Sequence, residues 1–236
     1  MRFRLTIAAV VASIAGCEGT APINYSAAAD NDAHAPAKAA SAPSAAVAGD
    51  AVRGKSRSEA LYCDACHGAN GNSETSEWPS LAGQSASYLV KQMELLRSGE
   101  RPSLEMQPIA STLSDADIAD LAAHYAAQTA ATGAAASDEA KVGEALYRDG
   151  DSARGIAACS SCHGPTGEGN ATTGDPAVRG QQPGYSTAQL EAYAKRTRYA
   201  SAADRGNANL EIMHEVAAKL TPEEIRSLAA YLRTMQ

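Results

Sequence analysis

The sequence predicts an all-α protein built from two tandem helical domains, and three observations carry that prediction. The stretch CDACHG at residues 63–68 returns as CSSCHG at 159–164, and the register between the copies runs well beyond those six residues. Apolar side chains near the end of each copy recur at helical spacing, and strand signals are nearly absent. A period of about one hundred residues means tandem domains, because solenoid units run about 20 to 50 residues.

The chain opens MRFRLTIAAVVASIAGC, with Arg2 and Arg4 ahead of a short apolar run from Leu5 to Gly16. That is the layout of an export signal, and the run is too short to cross a bilayer as a helix. It ends Ile14-Ala15-Gly16-Cys17, which resembles a bacterial lipobox. Residues 1–16 are then a signal peptide, and Cys17 becomes the lipidated first residue of the mature chain. The alternative is an ordinary signal cleaved in the Ala-rich stretch that follows, with Cys17 left spare. Lipidation accounts for the odd one of five cysteines. Residues 17–49, rich in Ala, Pro and Ser and without an apolar period, read as a flexible tether. As coil it would hold the folded part roughly 30 Å from the anchor on average.

From Asp50 the composition changes, and the expected domains are residues 50–131 and 138–236, split near TAATGAAASD at 129–138. Each begins with a short helical pattern containing a glycine, Gly54 or Gly143, where two helices could cross closely. The cysteine motif follows. Pro79-Ser80-Leu81-Ala82-Gly83-Gln84 then matches Pro176-Ala177-Val178-Arg179-Gly180-Gln181, and Tyr88 matches Tyr185. The second copy next gains ten residues, including Asp204, Arg205, Gly206 and Asn207. Ser114 with Asp117, and Thr221-Pro222 with Glu224, have the pattern of N-caps with an acidic third position. Beyond them Ile118, Leu121, Ala122 and Tyr125, like Ile225, Leu228, Ala229 and Leu232, fall at i, i+3, i+4 and i+7, so an amphipathic helix closes each domain.

The net charge of −7 is spread over both domains. Residues 50–131 carry eleven acidic and six basic side chains, and residues 132–236 carry thirteen and eleven. That balance excludes a nucleic-acid partner. Lys195, Arg196, Arg198 and Arg205 form a local basic cluster that could steer an acidic partner or simply be a solvated face.

Cysteines three apart serve thiol-disulfide switches, zinc sites or covalent haem attachment. A thioredoxin-type switch needs a βαβ setting, which the sequence does not offer. Zinc would need a second Cys or His pair in each domain. Haem attachment explains the whole motif: Cys63 and Cys66, like Cys159 and Cys162, lie one helical turn apart and can each join a vinyl group, while His67 and His163 then reach the iron. Haem also supplies an apolar core to small domains that share one Phe and one Trp.

The repeat selects the sixth ligand. Met106 lies opposite Met213, each seven residues before a leucine, Leu113 or Leu220, in loop-like sequence ahead of the final helix. Met93 lies opposite Leu190 in an apolar helical pattern and reads as core, Met235 has no counterpart, and His214, a rival ligand, faces Gln107. Met106 and Met213 are therefore the candidates.

Tandem C-x-x-C-H domains, the Pro-x-x-x-Gly-Gln-x-x-x-Tyr stretches and a methionine before the last helix together resemble the di-haem cytochrome c4 family of bacterial electron carriers, over about residues 50–236. The resemblance implies haem linkage through Cys63, Cys66, Cys159 and Cys162, with iron ligands His67 and Met106, then His163 and Met213. It also implies that the carbonyls of Pro79 and Pro176 accept the proximal imidazole N–H, and makes Arg101 and Arg198 candidates for the haem propionates, with solvated arginines as the alternative. Met/His ligation saturates the iron and implies outer-sphere electron transfer rather than enzymology. The export signal and Cys17, not the resemblance, set the chain on the periplasmic side of a bacterial membrane through a lipid anchor; that anchor with its long tether, and the ten-residue insertion, depart from the family's pattern. The implied partners are redox proteins: a quinol-oxidising complex or dehydrogenase upstream and an oxidase downstream. Two alternatives are a haem subunit fixed to a membrane dehydrogenase and a di-haem peroxidase, the latter needing a displaceable sixth ligand.

Overall fold

The computed structural model describes residues 48–131, 133, 137–199 and 208–235. The export signal, Cys17 and the tether up to residue 47 lie outside them, as do Asp204 to Asn207 of the insertion. The described residues form ten α-helices and one short 3-10 turn, Ala69–Gly71, with no strand and only two isolated bridges, Asp151 to Ile156 and Asn170 to Asp175.

The first domain contains α1 (Ala51–Ala60), α2 (Asp64–His67), α3 (Ala86–Ser98), α4 (Met106–Ala110) and α5 (Asp115–Ala126). The second contains α6 (Asp138–Asp149), α7 (Ser160–His163), α8 (Pro183–Ala194), α9 (Ala208–Ala217) and α10 (Pro222–Thr234). In each, the first helix crosses the last, and the glycines make that crossing possible. A Cβ on Gly54 would lie 2.0 Å from the Asp120 carbonyl oxygen, and one on Gly143 would lie 2.1 Å from that of Ser227. Any larger residue would push the helices apart.

Both final helices start as their caps predict. The Ser114 hydroxyl accepts from Asp117 N–H at 3.1 Å while the Asp117 carboxylate accepts from Ser114 N–H at 3.0 Å. Thr221 and Glu224 repeat the box at 3.2 and 2.9 Å, with Pro222 at the first helical position. The periodic residues of both helices are buried. In the first domain Ile118, Leu121, Ala122 and Tyr125 gather with Leu89 and Leu113. In the second Leu228 and Leu232 gather with Tyr147, Tyr231 and Met235.

The two methionines depart from the expected loops. Met106 opens α4, a single turn that tolerates Pro108 because its proline falls at the third helical position, where the backbone N–H has no intrahelical partner. Met213 lies inside α9, where Leu210, Met213 and Ala217 stand at i, i+3 and i+7 and Ala217 is fully buried. The domains meet along backbone as well as side chains: Tyr185 N–H donates to the Ser76 carbonyl at 2.8 Å and Gly184 N–H to the Ser76 hydroxyl at 2.9 Å.

Candidate haem sites and the polar seam between them

Each cysteine motif folds into one helical turn that stops on its histidine. His67 N–H donates to the Cys63 carbonyl at 3.0 Å, and His163 N–H to that of Cys159 at 2.9 Å. The glycine that follows each histidine takes a positive φ, +75° at Gly68 and +81° at Gly164, turning the chain where a side chain would strike Asn72 or Glu168. This places one cysteine of each pair, Cys63 or Cys159, against the domain core and leaves Cys66 and Cys162 exposed. All four are unbridged. Burial pushes the Cys63 thiol up and that of Cys159 up to about 11.

Both histidines are buried, and each is oriented by a carbonyl twelve or thirteen residues on. His67 Nδ1 lies 2.9 Å from the Pro79 oxygen, and His163 Nδ1 lies 2.9 Å from the Pro176 oxygen. A carbonyl only accepts, so Nδ1 carries the proton and Nε2 keeps the lone pair that a metal needs. Burial lowers the His67 pKa against the opposing pull of Pro79, which keeps the imidazole neutral.

Met106 and Met213 are both half-buried. Met93 packs against the first core and Met235 is buried in the second. His214 Nδ1 lies 2.8 Å from the Tyr193 carbonyl oxygen on α8.

Arg101 and Arg198, one from each domain, meet in a polar seam. Arg101 donates to Gln92 and to the Tyr185 hydroxyl, both at 3.0 Å. Arg198 donates to the Tyr88 hydroxyl at 3.3 Å and to Gln92 at 3.4 Å, and lies 5.0 Å from the Tyr193 ring centre. It is 5% exposed, and its Nη1 is buried without a partner. Burial pushes Tyr185 up, but the two guanidinium charges outweigh it and draw the phenol down to about 8. The seam has two cations and several phenols, and an anionic carboxylate is the chemistry that would satisfy it. Haem propionates have that chemistry, and the cysteine pair with its buried, carbonyl-anchored histidine in each domain is the donor set that haem c takes.

The basic cluster read from the sequence dissolves here. Arg198 turns inward, Lys195 pairs with Glu191 at 2.8 Å, Arg196 pairs with Glu211 at 3.0 Å, and Arg205 lies outside the described residues. Sequence reasoning missed Gln92 and the roles of Tyr88, Tyr185, Gln84 and Gln181. The signal was present in the last four, since the same polar residues recur in register between copies.

Comparison with known proteins gives the family and the fold. The family described as "Cytochrome c" matches residues 140–236, and that described as "Cytochrome C oxidase, cbb3-type, subunit III" matches residues 49–124. The chain is 41% identical over 186 residues to cytochrome c4 of Pseudomonas aeruginosa, covering 79% of this chain and 89% of that protein. It is similar to the crystal structure of reduced recombinant cytochrome c4 from Pseudomonas stutzeri, with a TM-score of 0.73 at 36% identity, covering 80% of this chain and all (100%) of that one. It also resembles a thiosulfate dehydrogenase structure from Marichromatium purpuratum, with a TM-score of 0.68 at 34% identity over 78% of this chain and 40% of that one.

Proposed function

Because the chain belongs to the cytochrome c4 family and carries two covalently bound haems c for electron transfer, we propose that residues 50–131 and 138–236 each hold one haem and pass single electrons between redox proteins on the periplasmic side of a bacterial membrane. Cys63 and Cys66 bind the first haem and Cys159 and Cys162 the second. His67 and Met106 ligate one iron, His163 and Met213 the other. The observation that carries this reading is the twofold recurrence of a buried histidine with Nδ1 on a proline carbonyl, at His67–Pro79 and His163–Pro176.

Haem c supplies an iron that exchanges one electron without binding substrate when both axial positions are filled. The chain's own residues do the rest. Pro79 and Pro176 fix the imidazole tautomer and raise ligand basicity. Met106 and Met213 would supply the second protein ligand to each iron, and thioether links at the four cysteines would prevent loss of the group. Arg101 and Arg198, which meet in the polar seam, would bind the propionates. A signal ending at Gly16 and a lipidated Cys17 would tether the carrier near its membrane partners, with a quinol-oxidising complex or dehydrogenase upstream and an oxidase downstream. The likeness to the thiosulfate dehydrogenase structure favours a second reading, in which the chain accepts electrons as the haem subunit of a dehydrogenase.

Replacement of the methionines tests the ligand set. The ferric holoprotein should show a weak long-wavelength absorption band that depends on Met-to-iron bonding. Met106→Ala and Met213→Ala should each remove about half of that band. Its loss on Met93→Ala instead would overturn the assignment.

A further inference from the structure

The glutamine of each Pro-x-x-x-Gly-Gln turn reaches out of its own domain. Gln84 Oε1 accepts Ala177 N–H at 3.0 Å, and Gln84 Nε2 donates to the Ala177 carbonyl at 2.9 Å. Gln181 treats Ser80 in the same way, at 2.8 and 3.0 Å. Each glutamine oxygen is also pinned at home by the next backbone N–H, Ser85 to Gln84 at 3.0 Å and Gln182 to Gln181 at 2.9 Å.

The gripped N–H groups are not arbitrary. Ser80 N–H and the Pro79 carbonyl belong to one planar amide, as do Ala177 N–H and the Pro176 carbonyl. Each of these amides therefore accepts a histidine Nδ1–H through its oxygen and donates to a glutamine of the other domain through its nitrogen. The continuous chain runs His67, the Pro79–Ser80 amide, Gln181; its mirror runs His163, the Pro176–Ala177 amide, Gln84. Hydrogen bonds in series through an amide polarise one another. A donated N–H makes the same amide's oxygen a stronger acceptor, which draws more on the imidazole proton and makes the ring a more basic ligand.

We propose that Gln84 and Gln181 are crossed positioning residues, each tuning the proximal histidine, and so the reduction potential, of the haem held by the other domain. A more basic ligand favours ferric iron, so each glutamine lowers the potential of the haem across the seam. The two centres are then coupled through hydrogen bonds as well as through space. This deepens the carrier reading and rests on His67 and His163 being iron ligands.

The test uses the holoprotein and follows each haem separately, by redox titration monitored through the NMR signals of the two axial methionine methyls. Gln84→Met keeps the length of the side chain and removes both hydrogen bonds. It should raise the potential of the second haem and shift the His163 Nδ1–H resonance, leaving the first haem near its original value. Gln181→Met should do the reverse. Gln84→Glu keeps an oxygen for Ala177 N–H and should hold the second potential at or below that of the wild type, an effect that general loosening of the seam would not produce. Shifts confined to the haem of the mutated domain, equal shifts at both haems, or no shift in either methionine variant would overturn the proposal. A wrong ligand assignment fails differently: His163→Ala would then leave the second haem's spectrum intact.

Discussion

Replacing Gly143 by alanine sets two well-known effects against each other at the crossing of α6 and α10. In a helix interior alanine is favoured over glycine by about 1 kcal/mol. Against that, the new Cβ would lie 2.1 Å from the Ser227 oxygen, 2.4 Å from the Ser227 carbonyl carbon and 2.7 Å from Leu228 nitrogen, where ordinary contact begins at 3.4 Å. All three atoms are backbone, so no side chain can swing aside, and the helices must part by about 1 Å or more. Overpacking of this kind costs about 1–3 kcal/mol or more, and with rigid obstacles the upper end applies. The net loss is then about 2 kcal/mol, which lowers the melting temperature of a domain of this size by roughly 10 °C. Calorimetry of the holoprotein, with circular dichroism on both domains, should show the second domain's transition falling while the first stays put. An unchanged or raised transition would mean that helix propensity wins, and would refute the close crossing. Gly54→Ala, with its Cβ 2.0 Å from the Asp120 oxygen, should reproduce the effect in the first domain.

Acid stability should depend on Asp120, whose carboxylate is held below the usual aspartate range by the Arg53 guanidinium at 2.7 Å and by Asp50 N–H at 2.7 Å. The ionised pair therefore stabilises the fold above the unfolded aspartate value of about 4, and that contribution is lost as pH falls through the depressed native value. Urea midpoints measured from pH 7 downward should fall less steeply for Asp120→Asn than for the wild type, and an identical slope would contradict the sign. For the anchor, wild-type protein should sediment with membranes, resist salt washing and be released by detergent, whereas Cys17→Ser should be recovered unlipidated; wild-type protein with an N-terminus beyond residue 17 would contradict it.

The repeat makes much of this architecture readable in the sequence. Caps at Ser114 and Thr221, the apolar faces of α5 and α10 and the crossing glycines are all local or periodic signals, and they lie where the pattern puts them. What escaped the sequence depends on partners far along the chain. Arg198 reads both as part of a basic surface run and, through the family resemblance, as a propionate candidate beside Arg101, but its burial against Tyr88 and Gln92, more than a hundred residues away, has no local signal. Gln84 and Gln181 were visible as part of a repeated turn, but their partners are backbone amides, which carry no sequence signature. The helical setting of Met106 and Met213 was obscured by Pro108 in one copy and by the adjoining insertion in the other.

The carrier account stands most directly on the state of the sixth coordination positions. Fully reduced holoprotein exposed to carbon monoxide at neutral pH reports on both at once, because the gas binds ferrous haem only where an axial position is open or readily displaced. With Met106 and Met213 in place, neither haem spectrum should change on the timescale of mixing. Rapid binding of one equivalent of carbon monoxide per chain would contradict the account and point to a catalytic haem.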